Sequence, residues 1–455
     1  MLETLDMTQG RWYRKEPSNP ERPRDTAQLR AAQQVASGSG QKLALLSVGM
    51  CFKGWLLCAG VTLGVAAPAS GQDTRAEVLA RQRAEKAAQL QTYKPTSLEK
   101  TLQWIEKNDP LLKIAPQNGF YIEYGYTGKP VGSGIAIGGG WRHDLFDRNA
   151  RVVLEAGESL RRYRMARVDI SLPRMLDERL ELGIEAAYRY HPQEDFYGLG
   201  FESQRADRVN FRYRAPEVQG RAVIKPADWL NAGVRLGRVD VSVGAGTDTR
   251  FPSIEQRFTT ANVPGLDAQP AFTYGDLFAT VDTRDQPGNA RDGVYLGVQW
   301  RRYTDNDLDR YSFDSVDVDA QHFLPIFDKK RVFAARFRLF TTTADDGQEV
   351  PFYFRPTIGG SESLRSVADF RFRDRNAAVL NIEYRWEAFS GLDMALFSDF
   401  ATVAPRLRDL ELADLSGAYG IGLRFNTYKA VFLRFDVAAG DSDGIRTFLK
   451  FSKAF

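Results

Sequence analysis

Three histidines, two cysteines and a few clustered acids and serines are the residues of this 455-residue chain that could do chemistry. Gly359-Gly360-Ser361-Glu362-Ser363 resembles a nucleophile elbow, but that motif needs glycine where Ser363 stands. Its flanks also read as a loop between strands, not a strand-to-helix turn. No spacing pairs His143, His191 or His322 with a nucleophile, so a hydrolase is disfavoured. The acids around Asp282-Thr283-Arg284-Asp285 and Asp292-Gly293 lack EF-hand spacing. With Pro287-Gly288-Asn289 between them they read as strand, tight turn and return strand. Gly138-Gly139-Gly140 and Gly198-Leu199-Gly200 precede no helical pattern and so cradle no phosphate. Glycine inside a strand marks a kink or close packing. The expectation is a protein with no catalytic residue, no metal and no cofactor.

The remaining charges are ordered by a period of two. Leu380, Ile382, Tyr384 and Trp386 share one face of a strand, and Asn381, Glu383, Arg385 and Glu387 share the other. Leu180, Leu182, Ile184, Ala186, Tyr188 and Tyr190 alternate with Glu181, Glu185 and Arg189. Val294, Leu296, Val298 and Trp300 alternate with Gln299 and Arg301, and Val316, Val318 and Ala320 with Asp317, Asp319 and Gln321. At the chain's end Thr447, Leu449, Phe451 and Phe455 face one way, while Arg446, Lys450 and Ser452 face the other with Phe448 and Ala454. Lys453 is the one charge on the apolar face. A terminal strand that closes on an exposed phenylalanine suits a membrane barrel, whose outer face meets lipid and whose bore is wet.

Composition agrees. Hydrophobic residues make up 43% and charged residues 26%, and mean hydropathy is −0.38. Those values exclude a polytopic helical membrane protein but not a barrel, in which alternation averages out. The longest apolar stretch, Trp55 to Ala69, is too short to span a bilayer as a helix, which takes ~20 residues. It follows Lys53 and runs into Ala67-Pro68-Ala69-Ser70-Gly71, small residues suited to signal-peptidase cleavage. Residues 1–71 are therefore read as a leader and secretory signal peptide, with Met50 as a candidate true start. Cys51 and Cys58 fall within it, which leaves the mature chain no thiol for a disulfide or a Cys-based metal site. Removing its eight basic and five acidic residues leaves 53 of each sign. No basic domain is left to bind nucleic acid.

Residues 72–118 read as a short helical periplasmic segment: Thr74 to Leu90 is rich in helix formers, and Ser97 is a candidate N-cap for a helix reaching Glu106. Residues 119–455 then read as a 16-stranded antiparallel transmembrane β-barrel, an all-β fold. The strands start near Gly119, Val131, Ala150, Arg162, Arg179, Arg208, Trp229, Ala271, Val294, Arg310, Arg331, Asn376, Leu392, Gly417, Lys429 and Ile445. Connections after even-numbered strands are short. Those after odd-numbered strands include Gly244 to Pro270, Thr341 to Arg375 and Ala401 to Ser416, as short periplasmic turns and long external loops require.

The connection after strand eleven carries Pro356-Thr-Ile-Gly359-Gly360-Ser-Glu-Ser-Leu364-Arg365-Ser366-Val367, followed by Phe370-Arg-Phe-Arg-Asp374. With Asp282-Thr-Arg-Asp285, Asn381-Ile-Glu-Tyr-Arg-Trp386, Phe397-Ser-Asp-Phe400 and Gly420-Ile-Gly-Leu-Arg424, it resembles the barrel domain of the outer-membrane assembly and secretion factors, the BamA/TamA-like or bacterial surface antigen superfamily. The resemblance implies that this loop folds back into the lumen. It makes Gly359, Gly360, Leu364 and Ser366 the loop motif, Arg365 the loop-tip arginine, and Glu383 and Asp399 its inward acidic partners. Where the family has glycine and an aromatic after the arginine, this chain has Ser366 and Val367. The resemblance also implies a location in the bacterial outer membrane, contact with its lipid, and client proteins or a separate periplasmic partner. It implies a weakly paired seam between first and last strands, marked by Phe120, Tyr126, Phe451 and Phe455, which would aid insertion or translocation of proteins. The alternative is a plugged structural or pore-forming barrel that handles no client, favoured by a segment before Gly119 too short for the family's periplasmic docking domains.

Overall fold

The computed structural model describes residues 75–89, 95–108, 118–124, 134–411, 415–427, 430–440 and 444–450. The leader and signal peptide, Tyr126, Phe451 and Phe455 lie outside the described residues. Helix α1 (Arg75–Gln89) belongs to a separate unit of the chain. Helix α2 (Ser97–Asn108) belongs with the barrel. Its N-cap is Thr96, not Ser97. The Thr96 hydroxyl accepts from Glu99 N–H at 3.3 Å and the Glu99 carboxylate accepts from Thr96 N–H at 2.7 Å, a reciprocal capping box. Leu102 of α2 is buried and packs at Gly391.

From Gly119 on, one antiparallel meander follows: β1 (Gly119–Tyr124), β2 (Ala136–Leu145), β3 (Ala150–Ser159), β4 (Arg164–Met175), β5 (Leu180–Phe196), β6 (Val209–Ala227), β7 (Leu230–Asp240, continued by Ser242–Ala245), β8 (Ala271–Asp282), β9 (Gly293–Asp305), β10 (Phe313–Ile326), β11 (Arg331–Ala344), β12 (Asn376–Phe389), β13 (Leu392–Ala404), β14 (Ser416–Asn426), β15 (Val431–Gly440) and β16 (Arg446–Lys450). The sheet holds 17 hydrogen-bonded segments. Both parts of β7 pair with β6, so they form one strand interrupted at Val241, and sixteen strands result. β1 pairs with β2, and β16 with β15. The chain is a 16-stranded antiparallel transmembrane barrel.

Alternation sorts the side chains between two solvents. Outward residues such as Ile184, Leu236, Leu277, Trp300, Ile382, Leu396 and Ile421 are exposed. No described helix is long and apolar enough to cross a membrane; these strands cross it instead. Inward residues form cross-strand ion pairs: Arg167 with Glu155 and Glu185, Arg301 with Asp276, Arg336 with Asp319, Arg338 with Asp317. Three short turns share an apolar residue, an aspartate and a charged residue, all at positive φ between 50° and 70°: Phe146-Asp147-Arg148, Leu176-Asp177-Glu178 and Phe327-Asp328-Lys329. Their apolar residues are exposed, which suits the membrane interface at the barrel's short-turn end.

The bore is drier than its inward charges imply. Near the long-loop end Phe196, Phe211, Phe272, Tyr303 and Phe313 of the wall bury Ile254 and Val263 from the β7–β8 connection and Phe352-Tyr353-Phe354 from the β11–β12 connection. At the other end the connection between β8 and β9 carries the expected tight turn at its tip, where Asn289 N–H donates to Gln286 O at 2.9 Å. It reaches across to the β14–β15 turn, where the Asn289 amide donates to the Thr427 carbonyl at 2.9 Å and Val431 N–H donates to Gly288 O at 3.0 Å. Its acids serve the loop itself: Asp285 accepts from the backbone N–H groups of Gln286, Arg291 and Asp292. β5 continues to Phe196, so residues 197–208 connect it to β6.

An arginine on the outward face tests this sorting. Ile184→Arg is expected to destabilise the barrel by roughly 2–4 kcal/mol in a lipid bilayer, as a lipid-facing cation near the midplane does. Reversible denaturant titration in vesicles measures it; an effect within ±0.5 kcal/mol, as at a water-exposed site, would contradict the assignment.

Candidate functional site

The β11–β12 connection folds inward because its own residues close it into a knob. A two-residue ribbon pairs Thr357–Ile358 with Phe372–Arg373. Gly359 sits at φ 133°, and a Cβ there would meet the Ala368 carbonyl oxygen at 1.9 Å, so glycine alone fits. Gly360 N–H donates to Val367 O at 3.2 Å. The Ser363 hydroxyl accepts from Gly359 N–H at 2.8 Å and donates to Gly359 O at 3.1 Å, so it is a loop brace. Leu364 and Val367 are fully buried with Ile358 and Phe372 against Val379, Ala401, Val403 and Ala418 of β12–β14. Ser366, where the family pattern has glycine, is also fully buried. The wall makes room for it at Gly440, where a Cβ would lie 2.4 Å from the Ser366 hydroxyl oxygen.

At the knob's tip Arg365 is 2% exposed. Its Nε and Nη2 donate to the two Asp399 oxygens at 2.7 and 2.6 Å, a bidentate fork. Its Nη1 donates to Glu383 at 2.7 Å. The guanidinium lies 3.4 Å above the centroid of the Phe397 ring. That ring in turn lies against Gly420 of β14, where a Cβ would come within 2.5 Å of it. Register explains the convergence: Glu383 pairs across from Phe397, Asn381 from Asp399, and Phe397 from Gly420.

The structure brings Arg365, Glu383 and Asp399 together and adds residues that sequence reasoning missed. Asp436 is fully buried and lies 3.6 Å from Arg365. Arg424 bridges Glu383 at 2.9 Å and Asp436 at 2.5 Å. Arg385 donates to Glu383 at 2.9 Å, and Arg434 to Asp436 at 2.5 Å and to the Ser361 carbonyl at 2.6 Å. Asn381 donates to Asp399 and to the Ser363 carbonyl, both at 2.8 Å. The available signal was the shared face: Arg385 alternates with Glu383, and Arg434 with Asp436.

Further ties pin the loop to the rest of the wall. Arg373 is buried among Phe196, Phe211 and Phe352 and donates to Glu194 at 2.7 Å. Arg371 donates to the Ser203 carbonyl at 2.7 Å. Glu362 pairs with Lys450 of β16. The loop thus spans the bore from β5 to β16. The remaining seam marker within the described residues, Phe120, is 82% exposed on the outer face of β1.

The arrangement holds a loop. His191, flanked by Tyr163 and Tyr213, contacts Glu194. Among the described residues no cluster could hold a metal ion.

Arg365→Ala leaves three buried acids short of a cation and should cost about 3–5 kcal/mol, as removal of one partner of a buried ion pair does. Limited trypsin digestion in detergent is expected to cut the variant at Arg371 or Arg373 while the wild type resists. Equal resistance in both proteins would contradict the lock.

Comparison with known proteins agrees with this architecture. The Omp85 superfamily domain matches residues 144–452. No curated protein matches the chain by sequence. Among solved structures, BamA from Haemophilus ducreyi lacking POTRA domains 1–3 is similar at a TM-score of 0.55 and 16% identity, over 73% of this chain and 70% of that one. CdiB from Acinetobacter baumannii is similar at a TM-score of 0.44 and 14% identity, over 73% of this chain and 58% of that one. The matched barrel domain locates the chain in the bacterial outer membrane. It belongs to the Omp85 superfamily.

Proposed function

We propose that this barrel aids the insertion or translocation of client proteins at the outer membrane, and that it works at the lateral seam between β1 and β16. The observation that carries the reading is the lock of Arg365. It fixes a loop across the bore and ties it to β12–β16, the strands that lead to the seam. A bore closed by packed side chains leaves the sheet's edge as the route for a polypeptide, and an edge strand's free backbone groups can template an incoming strand. β1 and β16 are the first and last strands of the meander. Both turn apolar residues to lipid, Phe120 and Ile122 on one and Leu449 on the other. The segment ending near Gly71 would direct export, and a separate periplasmic partner or the client itself would engage the short-turn face where α2 lies.

The filled bore also favours a second reading, a plugged barrel with a structural or pore role and no client. Depletion separates them. Loss of the protein is expected to lower the abundance of at least one other outer-membrane barrel or secreted protein, measured by quantitative proteomics of isolated outer membranes. An unchanged outer-membrane proteome would contradict client handling and leave the plugged barrel. In planar bilayers the wild type is expected to stay closed and Arg365→Ala to show conducting steps; an Arg365→Ala variant as silent as the wild type would remove the loop as the element that closes the bore.

A further inference from the structure

At the long-loop end, beside the lock but separate from it, lies a cavity of about 470 Å³. Five arginines from different parts of the chain reach it: Arg161 from the β3–β4 connection, Arg205 and Arg208 from β5–β6, Arg257 from β7–β8, and Arg446 at the start of β16. Asp207 pairs with Arg257 at 3.2 Å, and two carboxylates of the lining, Asp195 and Asp369, oppose the rest, which leaves a formal excess of two positive charges. Both acids are weak opponents. Asp195 is consumed by Arg208, which donates to its two oxygens at 3.1 and 2.8 Å. Burial lifts the Asp369 carboxyl above its ordinary range despite Lys450 and Arg446 nearby.

Two further observations point to a ligand. The Nε of Arg446 is buried with no hydrogen-bond partner, and a buried donor left unpaired is costly. The residues that precede Arg161 and Arg446, Leu160 and Ile445, are 81% and 76% exposed, among the most exposed large apolar side chains of the barrel. Apolar residues that exposed on a membrane barrel belong against lipid, so Arg161 and Arg446 stand at the height of the external leaflet. Its wall also offers aromatic surface: Tyr197, and Phe251 with Arg208 at 3.8 Å over its ring.

We propose that this cavity binds the phosphorylated sugar headgroup of a glycolipid in the external leaflet. Phosphate oxygens match guanidinium forks bidentately. The sugar ring would lie against the aromatic wall, and the acyl chains would run down past Leu160 and Ile445. Such a lipid would contact both the lumenal loop, through Ala368 and Asp369, and the last strand, through Arg446. It would therefore couple the plug to the seam from outside.

The test uses the full-length barrel in detergent and a diphosphorylated glycolipid as probe, with its dephosphorylated form and inorganic phosphate as the other arms, read by native mass spectrometry. The wild type is expected to retain the phosphorylated lipid, not to retain the dephosphorylated one, and to keep the phosphorylated lipid against equimolar inorganic phosphate. Arg161→Gln with Arg446→Gln should weaken retention about tenfold or more, roughly 1.4 kcal/mol, while Arg310→Gln on the β9–β10 connection should not. Heat-modifiable gel migration checks that the variants fold; should the double variant not fold, the three-ligand comparison on the wild type decides alone. Equal retention of the dephosphorylated lipid, displacement by equimolar phosphate, or a folded double variant that binds like the wild type would overturn the proposal.

Discussion

A guanidinium without water around it must be fully paired, and Arg365 is. Buried ionised groups lose several kcal/mol of hydration each and recover it only through close, well-directed partners. Asp399 supplies a fork, Glu383 a third oxygen and Phe397 an aromatic face. Those acids then need cations of their own, which Arg424, Arg385 and Arg434 provide through Glu383 and Asp436. The result is a network in which no member can leave alone, and it spans β12 to β15. A long external connection would ordinarily roam; this one is held because withdrawing it takes the Arg365 cation from buried Asp399 and removes one partner of Glu383.

The network can exist only because the barrel separates two solvents. Lipid outside forces apolar residues onto every second position, so the inward positions are free to be polar. Glycines in the wall give large inward side chains space to lie flat. The Phe397 ring rests on Gly420, and the Tyr121 ring on Gly140, with the Tyr121 hydroxyl donating to Glu155 at 2.6 Å. Dry packing of loop residues against the wall at the long-loop end does the rest of the closing.

Much of this was legible in the chain because period two is a direct signature of a sheet between two solvents. Glu383 could be placed inward from its neighbours alone. Arg365 and its partners were legible only through the family resemblance of the Gly359 to Val367 segment. What was not legible lacked a period or a local partner. Phe352-Tyr353-Phe354, Ile254 and Val263 sit in irregular loops whose burial depends on distant strands. The turn at Gln286 to Asn289 was legible, but not its tie to Thr427, which lies 138 residues from Asn289. Thr96 took the cap from Ser97 because Glu99 lies three residues beyond it, as the capping box requires. Asp436 and Arg424 share no sequence neighbourhood, and only the β14–β15 register joins them.

The central claim is that the loop of Arg365 is a fixed part of the barrel's interior and not an external loop. Amide hydrogen exchange of the protein in lipid bilayers tests it most directly. Residues 358–373 are predicted to exchange as slowly as the strands β12 and β13 that they pack against. Exchange as fast as that of the exposed β9–β10 connection, residues 306–309, would contradict it.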